Sequence, residues 1–214
     1  MGSITKRGAG ALLIFPCNGN ALEALNCLVP AHHFLGFVDD TPEKQGVSQH
    51  GHPVFTRAAF DKWPQAQVLA VAGSALTYRT RRAVIDGLGL RVDRFASVIH
   101  PRAVVSPLAS IGRNTVIMAG VVITSNAMIG DHVIVLPNTV IHHDVSIGSW
   151  SLIGSNVTVA GNTHIGENCY VASGSSVMNG LNIGDGALIG LGSTVLRSVS
   201  AAVRVAGNPA RLLL

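Results

Sequence analysis

The sequence predicts an α/β domain followed by a parallel β-helix. Two patterns predict it: an alternation of strand, turn and helix over residues 11 to about 96, and an isoleucine or valine at every sixth position from Ile99 to Val195 without exception. The composition agrees. Glycine is abundant at 24 residues and aromatics are scarce at 5%; charged residues are only 12%, where about 25% is usual. Such a mixture suits repetitive β structure better than a helical bundle.

In the first pattern, residues 11–15 form a short apolar strand and residues 16–20 a turn. Residues 21–29 have helical spacing, with Leu22, Leu25 and Leu28 beside Ala24. A second strand, 34–38, ends at Asp39-Asp40; a third, 68–72, ends at Gly73-Ser74; residues 77–88 form a second amphipathic helix. Strands joined through helices give a parallel sheet with crossover connections. The expected domains are 1–96 and 97–214.

A period of six is the mark of a parallel β-helix. Each Ile or Val points into the coil and stacks on its equivalents above and below. Four residues later a small or β-branched residue, such as Ala109, Thr139 or Cys169, fills the adjacent corner. Three residues after the Ile or Val stands Asn or Gly at most hexads, for example Asn126, Asn162 and Gly174. These types tolerate the positive φ of a sharp corner. Gly112, Gly130, Gly148, Gly166 and Gly184 recur at three hexads, which makes the coil triangular. No hexad is interrupted, so no long loop leaves it.

The formal charge of +4 and the isoelectric point of about 9.3 favour anions such as phosphates. No Lys/Arg cluster is long enough to argue for nucleic acid; the densest is Arg79, Arg81 and Arg82. Cys17, Cys27 and Cys169 fit neither a zinc spacing nor a disulfide framework, which suits a reducing cytoplasm. There is no signal peptide and no apolar run of about 18 residues, so no membrane insertion is expected. Lys6 stands where a myristoylation signal needs Ser or Thr, and residues 1–10 read as a mobile or engineered end.

The hexads and the tail Ala206-Gly207-Asn208-Pro209-Ala210-Arg211 resemble the bacterial hexapeptide-repeat acyltransferases. Strand, turn, helix, a strand ending in Asp-Asp, then Gly51-His52-Pro53-Val54 narrow this to a likeness to nucleotide-sugar acetyltransferases of sialic acid, bacillosamine and perosamine pathways. The resemblance covers the chain after residue 10. It implies a nucleotide-binding α/β domain, a left-handed β-helix, a homotrimer with sites between prisms, and acetyl-CoA as cosubstrate with no metal. It also implies a cytoplasmic enzyme that N-acetylates a nucleotide-linked amino sugar, such as GDP-perosamine, for lipopolysaccharide O-antigen.

Val140-Ile141-His142-His143-Asp144-Val145-Ser146-Ile147-Gly148 matches the family's Val-Ile-x-His-Asp/Glu-x-x-Ile-Gly motif. Carried over, His143 is the general base and Asp144 raises its basicity. The chemistry needs such a pair, because an amine attacking a thioester must shed a proton and histidine titrates near neutral pH. Two exposed prism histidines are the plain alternative. Gly161 aligns with the glycine whose N–H would stabilise an oxyanion, or is a simple corner residue. In the bacillosamine branch a second histidine near acetyl-CoA follows the base by nine residues; here that cofactor position is Leu152. Alignment adds Ser173, Gly190, Leu191 and Pro209 as acetyl-CoA contacts, and Arg197, Arg204 and Arg211 are candidates for its phosphates. Asn18, Gly19 and Asn20 occupy the family's glycine-rich turn; Asp39, Asp40 and Gly73 sit at strand ends where a base or ribose is read. Ordinary loop residues are the alternative for each. Three other functions compete: sialic acid-type O-acetylation, a trimeric carbonic anhydrase-like prism holding a metal with three histidines, for which His132, His142, His143 and His164 are candidates, and a non-catalytic scaffold.

Overall fold

The computed structural model describes residues 10–29, 32–46 and 48–213. The end expected at residues 1–10 lies, but for Gly10, outside the described residues. The chain opens with a five-stranded sheet made of β1 (Gly10–Phe15), β2 (His32–Val38), β3 (Ser48–Gln49), β4 (His52–Phe55) and β5 (Gln67–Ala70). Its order is β3-β4-β2-β1-β5, parallel except for the β3–β4 hairpin. The helices are α1 (Gly19–Ala24), α2 (Ala58–Lys62) and α3 (Arg81–Asp86).

The helices are shorter than the sequence pattern suggests. After α1 the chain tightens into a 3₁₀ turn at Leu25–Cys27 and Leu28 is extended. Pro30 follows, and the residue before a proline avoids helical angles. Residues 77–80 form turns, where the Thr80 hydroxyl donates to Thr77 O at 3.1 Å and Ser74 Oγ caps Leu76 N. Such side-chain bonds compete with helix formation. The hairpin and α2 are additions to the expected elements.

From Val98 to Val195 the chain forms two-residue strands that pair in parallel at a spacing of 18 residues, and the last parallel pairing, Leu188 with Arg204, shortens to 16. Three sheets result, so the coil is a three-faced prism with three hexads per turn. The first face starts at Val98–Ile99, the second at Val104–Val105 and the third at Ser110–Ile111. Most inward positions, including Ile123, Ile141, Ile153 and Val177, are buried in one continuous core. The corners are the residues expected: Asn126, Asn138, Asn162 and Asn168 have φ of 52–61°, and Gly174 and Gly180 of 71–74°. A Cβ at Gly154 would lie 2.4 Å from Ser173 N, so stacked turns leave room there only for hydrogen.

The first face carries the sheet. Its outward Val98, Val116, Ile134 and Leu152 pack with Leu12, Ile14 and Val71. Polar clamps finish the seam at the corner between the third and first faces. Asn114 exchanges two hydrogen bonds with the Ala70 backbone, at 2.7 and 2.8 Å. Tyr78 Oη donates to Gly186 O at 3.0 Å, and Arg79 donates to Gly186 O and Ala202 O. Arg82 lies over the Trp150 ring, and His132 stacks on that ring at 3.7 Å. The densest basic cluster of the sequence is therefore built into a seam.

Candidate active site

His143 and Asp144 form the corner between the second and third faces, after the strand Val140–Ile141. Asp144 has φ of +57°, a geometry its short side chain tolerates, in the place where other hexads have Asn or Gly. The turn sets two consecutive side chains against each other. His143 Nδ1 lies 2.8 Å from Asp144 Oδ2, and Asn126, one coil below, donates to Asp144 Oδ1 at 3.0 Å. The bond from His143, then that from Asn126, hold the Asp144 carboxyl below its ordinary pKa. An ionised Asp144 keeps the proton on Nδ1, which leaves Nε2 as the basic nitrogen of the neutral ring.

Gly161 stands one coil above. A Cβ there would come within 2.7 Å of both Cε1 and Nε2 of His143, so the ring occupies the space a side chain would need. The Gly161 N–H donates to no acceptor among the described residues. His143 is 56% exposed at its side chain and reachable from outside. Asn126, which braces Asp144, was read from the sequence only as a corner residue; its spacing of 18 from Asp144 is the signal that places it at the site. His142 is half-buried, and its backbone belongs to the ladder, donating to Val159 O.

The structure brings the expected nucleotide-turn residues together. Asn18 caps α1 by accepting from Ala21 N at 2.9 Å, and Asn20 Nδ2 donates to Gly73 O at 3.1 Å and to Val71 O at 3.3 Å. Gly19 begins α1 beside them. Asp39 is different: it is 2% exposed and committed internally. It accepts from Cys17 N, Thr41 N and Lys44 Nζ, all at 2.9–3.0 Å. Burial raises the Asp39 pKa, but the bonds from Thr41 and Lys44 outweigh it and hold the carboxyl below its ordinary value. Asp39 thus ties the Pro16–Asn20 turn to β2 rather than facing a ribose. Asp40 is half-exposed and held in a two-pronged pair by Arg57, both contacts 2.7 Å.

The expected acetyl-CoA residues divide. Ser173 and Leu191 lie on the corner between the first and second faces, and Gly190 opens that turn. Leu191 is 74% exposed. Gly190 packs against Ala206, where an added Cβ would meet Ala206 Cβ at 2.6 Å. Pro209 lines a cleft of about 310 Å³ at the end of the prism, together with Arg197, Arg211, Leu196 and Leu212. Arg197 lies on the His143 corner, three coils above, roughly 14 Å at the usual strand spacing. Leu152 corrects an expectation: it is 6% exposed and packed in the apolar seam, under Gly73, with no surface for a ligand. Arg204 is exposed on the last parallel strand. The histidines proposed as an alternative metal set are scattered. His132 is in the seam and His164 bonds Ser146 on the third face, and no group of three metal-binding side chains converges among the described residues.

Comparisons agree with this architecture. The model of the bacterial transferase hexapeptide (six repeats) matches residues 126–161, and that of the hexapeptide repeat of succinyl-transferase matches 109–125 and 144–179. No curated protein matches the sequence. The acetyltransferase domain of PglB from Neisseria gonorrhoeae FA1090 in complex with acetyl coenzyme A is 28% identical, with a TM-score of 0.85 over 96% of this chain and 100% of that one. PerB from Caulobacter crescentus, in complex with CoA and GDP-perosamine, is 26% identical, with a TM-score of 0.84 over 96% and 97%. WeeI from Acinetobacter baumannii AYE, at 22% identity and a TM-score of 0.63, shares the fold. Residues 109–179 thus resemble the hexapeptide-repeat transferases. The chain shares the fold of the PglB acetyltransferase domain and PerB, an α/β domain followed by a left-handed β-helix.

Proposed function

We propose that the protein is an acetyl-CoA-dependent N-acetyltransferase of a nucleotide-linked amino sugar, with GDP-perosamine or a close relative as acceptor. The observation that supports it most is the His143–Asp144 pair at 2.8 Å, backed by Gly161, on a fold shared along its length with PerB and the PglB acetyltransferase domain. His143 Nε2 accepts the proton of the sugar amine as it attacks the thioester carbonyl. Asp144 holds the ring in the right tautomer and stabilises the imidazolium. The Gly161 N–H is the candidate donor to the developing oxyanion. Acetyl-CoA delivers the acetyl group; Gly190, Leu191, Pro209, Arg197 and Arg211 fit its length and charge. In this reading residues 1–96 hold the nucleotide and 97–214 form the acyl-transfer domain. The working unit is a homotrimer in the cytoplasm; Cys17, Cys27 and Cys169 are all free and buried.

The test is direct. The purified protein is incubated with acetyl-CoA and a panel of GDP-, UDP- and dTDP-linked amino sugars, with a CMP-sialic acid and free sialic acid as hydroxyl acceptors, and CoA release is followed. Acetylation of an amino sugar supports the reading, and GDP-perosamine as the best acceptor supports its finer form. Turnover confined to sialic acid hydroxyls would replace it with O-acetylation.

A further inference from the structure

Arg81 heads the largest fully buried side chains, at 1% exposure. Its Nε donates to Ala72 O at 2.8 Å and its Nη1 to His132 O. Its Nη2 is buried with no partner. Among the described residues no carboxylate pairs with it. A buried guanidinium with no counter-charge is unfavourable, and two carbonyls do not neutralise it. Burial alone pulls its pKa down to about 9. The seam has other clamps, so this charge asks for a different account.

Its position supplies one. From β1 the chain moves to β2 and β4 on one side, then returns to the other side for β5. The carboxyl ends of β1 and β5 therefore flank the point where connections diverge, the usual ligand crevice of such sheets. Asn18, Asn20 and Gly73 form the rim. Arg81 lies directly under it: a Cβ on Gly73 would be 3.0 Å from Arg81 Nε. The Ala72–Gly73 peptide is trans and planar, so its C=O and N–H point opposite ways. Arg81 takes the carbonyl, so the Gly73 N–H is turned to the far side, and it donates to no acceptor among the described residues.

We propose that Arg81 is a positioning residue for an anion: it aims the Gly73 N–H into the crevice and sets an unneutralised positive charge behind it, and the crevice takes the diphosphate of the nucleotide sugar. This rests on the nucleotide-sugar reading and adds which chemical portion of the ligand the β1–β5 crevice receives. The charge acts through one peptide group in a medium of low dielectric, where Coulomb attraction is screened less than in water. The partner recognised is the diphosphate, independent of base and sugar.

The test uses Arg81→Met and Arg81→Lys in the full chain. GDP, UDP and dTDP are titrated calorimetrically into the parent protein, and the tightest is carried forward with its nucleoside and with inorganic pyrophosphate as competitors. Arg81→Met should weaken the diphosphate and pyrophosphate roughly 10- to 100-fold, the worth of a hydrogen bond to a charged group. It should leave the nucleoside and the KM for acetyl-CoA unchanged, and Arg81→Lys should recover some of the loss. Equal losses for nucleoside and diphosphate, or none for either, would overturn the proposal. So would failure of both variants to fold, which would assign Arg81 to the seam. If the parent binds no nucleoside diphosphate, the nucleotide reading itself falls and takes this inference with it.

Discussion

Gly161→Ala separates a glycine needed for chemistry from one needed for the coil. The added methyl would sit 2.7 Å from Cε1 and Nε2 of His143. Ordinary carbon contacts need about 3.5 Å or more, so the ring must retreat by close to 1 Å. The atoms it meets belong to an exposed, movable side chain, and Gly161 has no positive φ. Stability should therefore hold or rise slightly, since Gly→Ala at a permissive position stabilises by roughly 0.4–1 kcal/mol. Activity should not hold: a misplacement of this size costs about 10²-fold in rate. Gly154→Ala is the contrast, because its methyl meets backbone, Ser173 N at 2.4 Å, and the coil cannot yield. It should lower the melting temperature sharply. The assays are CoA release and calorimetric melting on both variants, and on Gly161→Ala combined with His143→Ala. Full activity of Gly161→Ala, or a further loss from it when His143 is already gone, would refute the assignment of His143 Nε2 as the reacting atom.

Three further outcomes are expected. His143→Ala should lower kcat/KM by roughly 10²–10⁴, the usual worth of a positioned base, with a smaller loss for Asp144→Ala and little for His142→Ala; unchanged kinetics in His143→Ala with intact assembly would remove it from the mechanism. Burial, then the Arg81 charge, lower the His132 pKa from 6.5 to about 4. The unfolded chain then binds the extra proton first, so stability should fall as pH drops from 6.5 towards 4, by at most about 3 kcal/mol, and be flat above. His132→Asn, which keeps a residue that tolerates φ of +60°, should flatten that acid limb in pH-dependent denaturation; an unaltered limb would show that another group is responsible. Asp39→Ala leaves the buried Cys17 N–H without its acceptor and should cost about 1–3 kcal/mol in thermal unfolding, rather than acting only on the KM for the nucleotide sugar.

The coil was legible because its signal repeats. Each hexad restates the register of the last, so Ile141 inward, Asp144 at a positive-φ corner, and Asn126, His143 and Gly161 at one edge all follow from counting. The α/β domain has no such redundancy. Pro53 has no N–H to give a ladder, yet it sits in β4, the edge of the parallel portion of the sheet, beside a two-residue hairpin strand, and no strand was expected there. The roles of Arg79 and Arg81 were not legible because their partners, Gly186 O, Ala202 O and His132 O, are backbone carbonyls with no sequence mark, while Arg82 stays half-exposed over the Trp150 ring. Asp39 and Leu152 were expected at ligands because of where they fall in the chain. Leu152 is buried by the sheet docking to the first face, and Asp39 by Cys17, Thr41 and Lys44 of its own domain, contacts that residue spacing does not encode.

The placement of the site bears on assembly. His143 lies on the corner between the second and third faces, whereas Ser173 and Leu191 lie across the second face, on the next corner. A flat face separates two convex edges, so one chain cannot fold both groups around a single thioester. A neighbouring prism can bring its own Leu191 corner to this chain's His143. Subunit mixing tests this. His143→Ala and Leu191→Glu are each expected to be inactive as pure assemblies, the second because it sets a carboxylate on the path of an anionic ligand. Unfolded together and refolded in equal amounts, they assort at random. An interface is whole only when one chain keeps His143 and its neighbour keeps Leu191, so about one quarter of parental activity should return. If His143 and Leu191 served the same site from one chain, every chain would carry a lesion and the mixture would stay dead. Full activity in pure Leu191→Glu would instead remove that corner from the acetyl-CoA path.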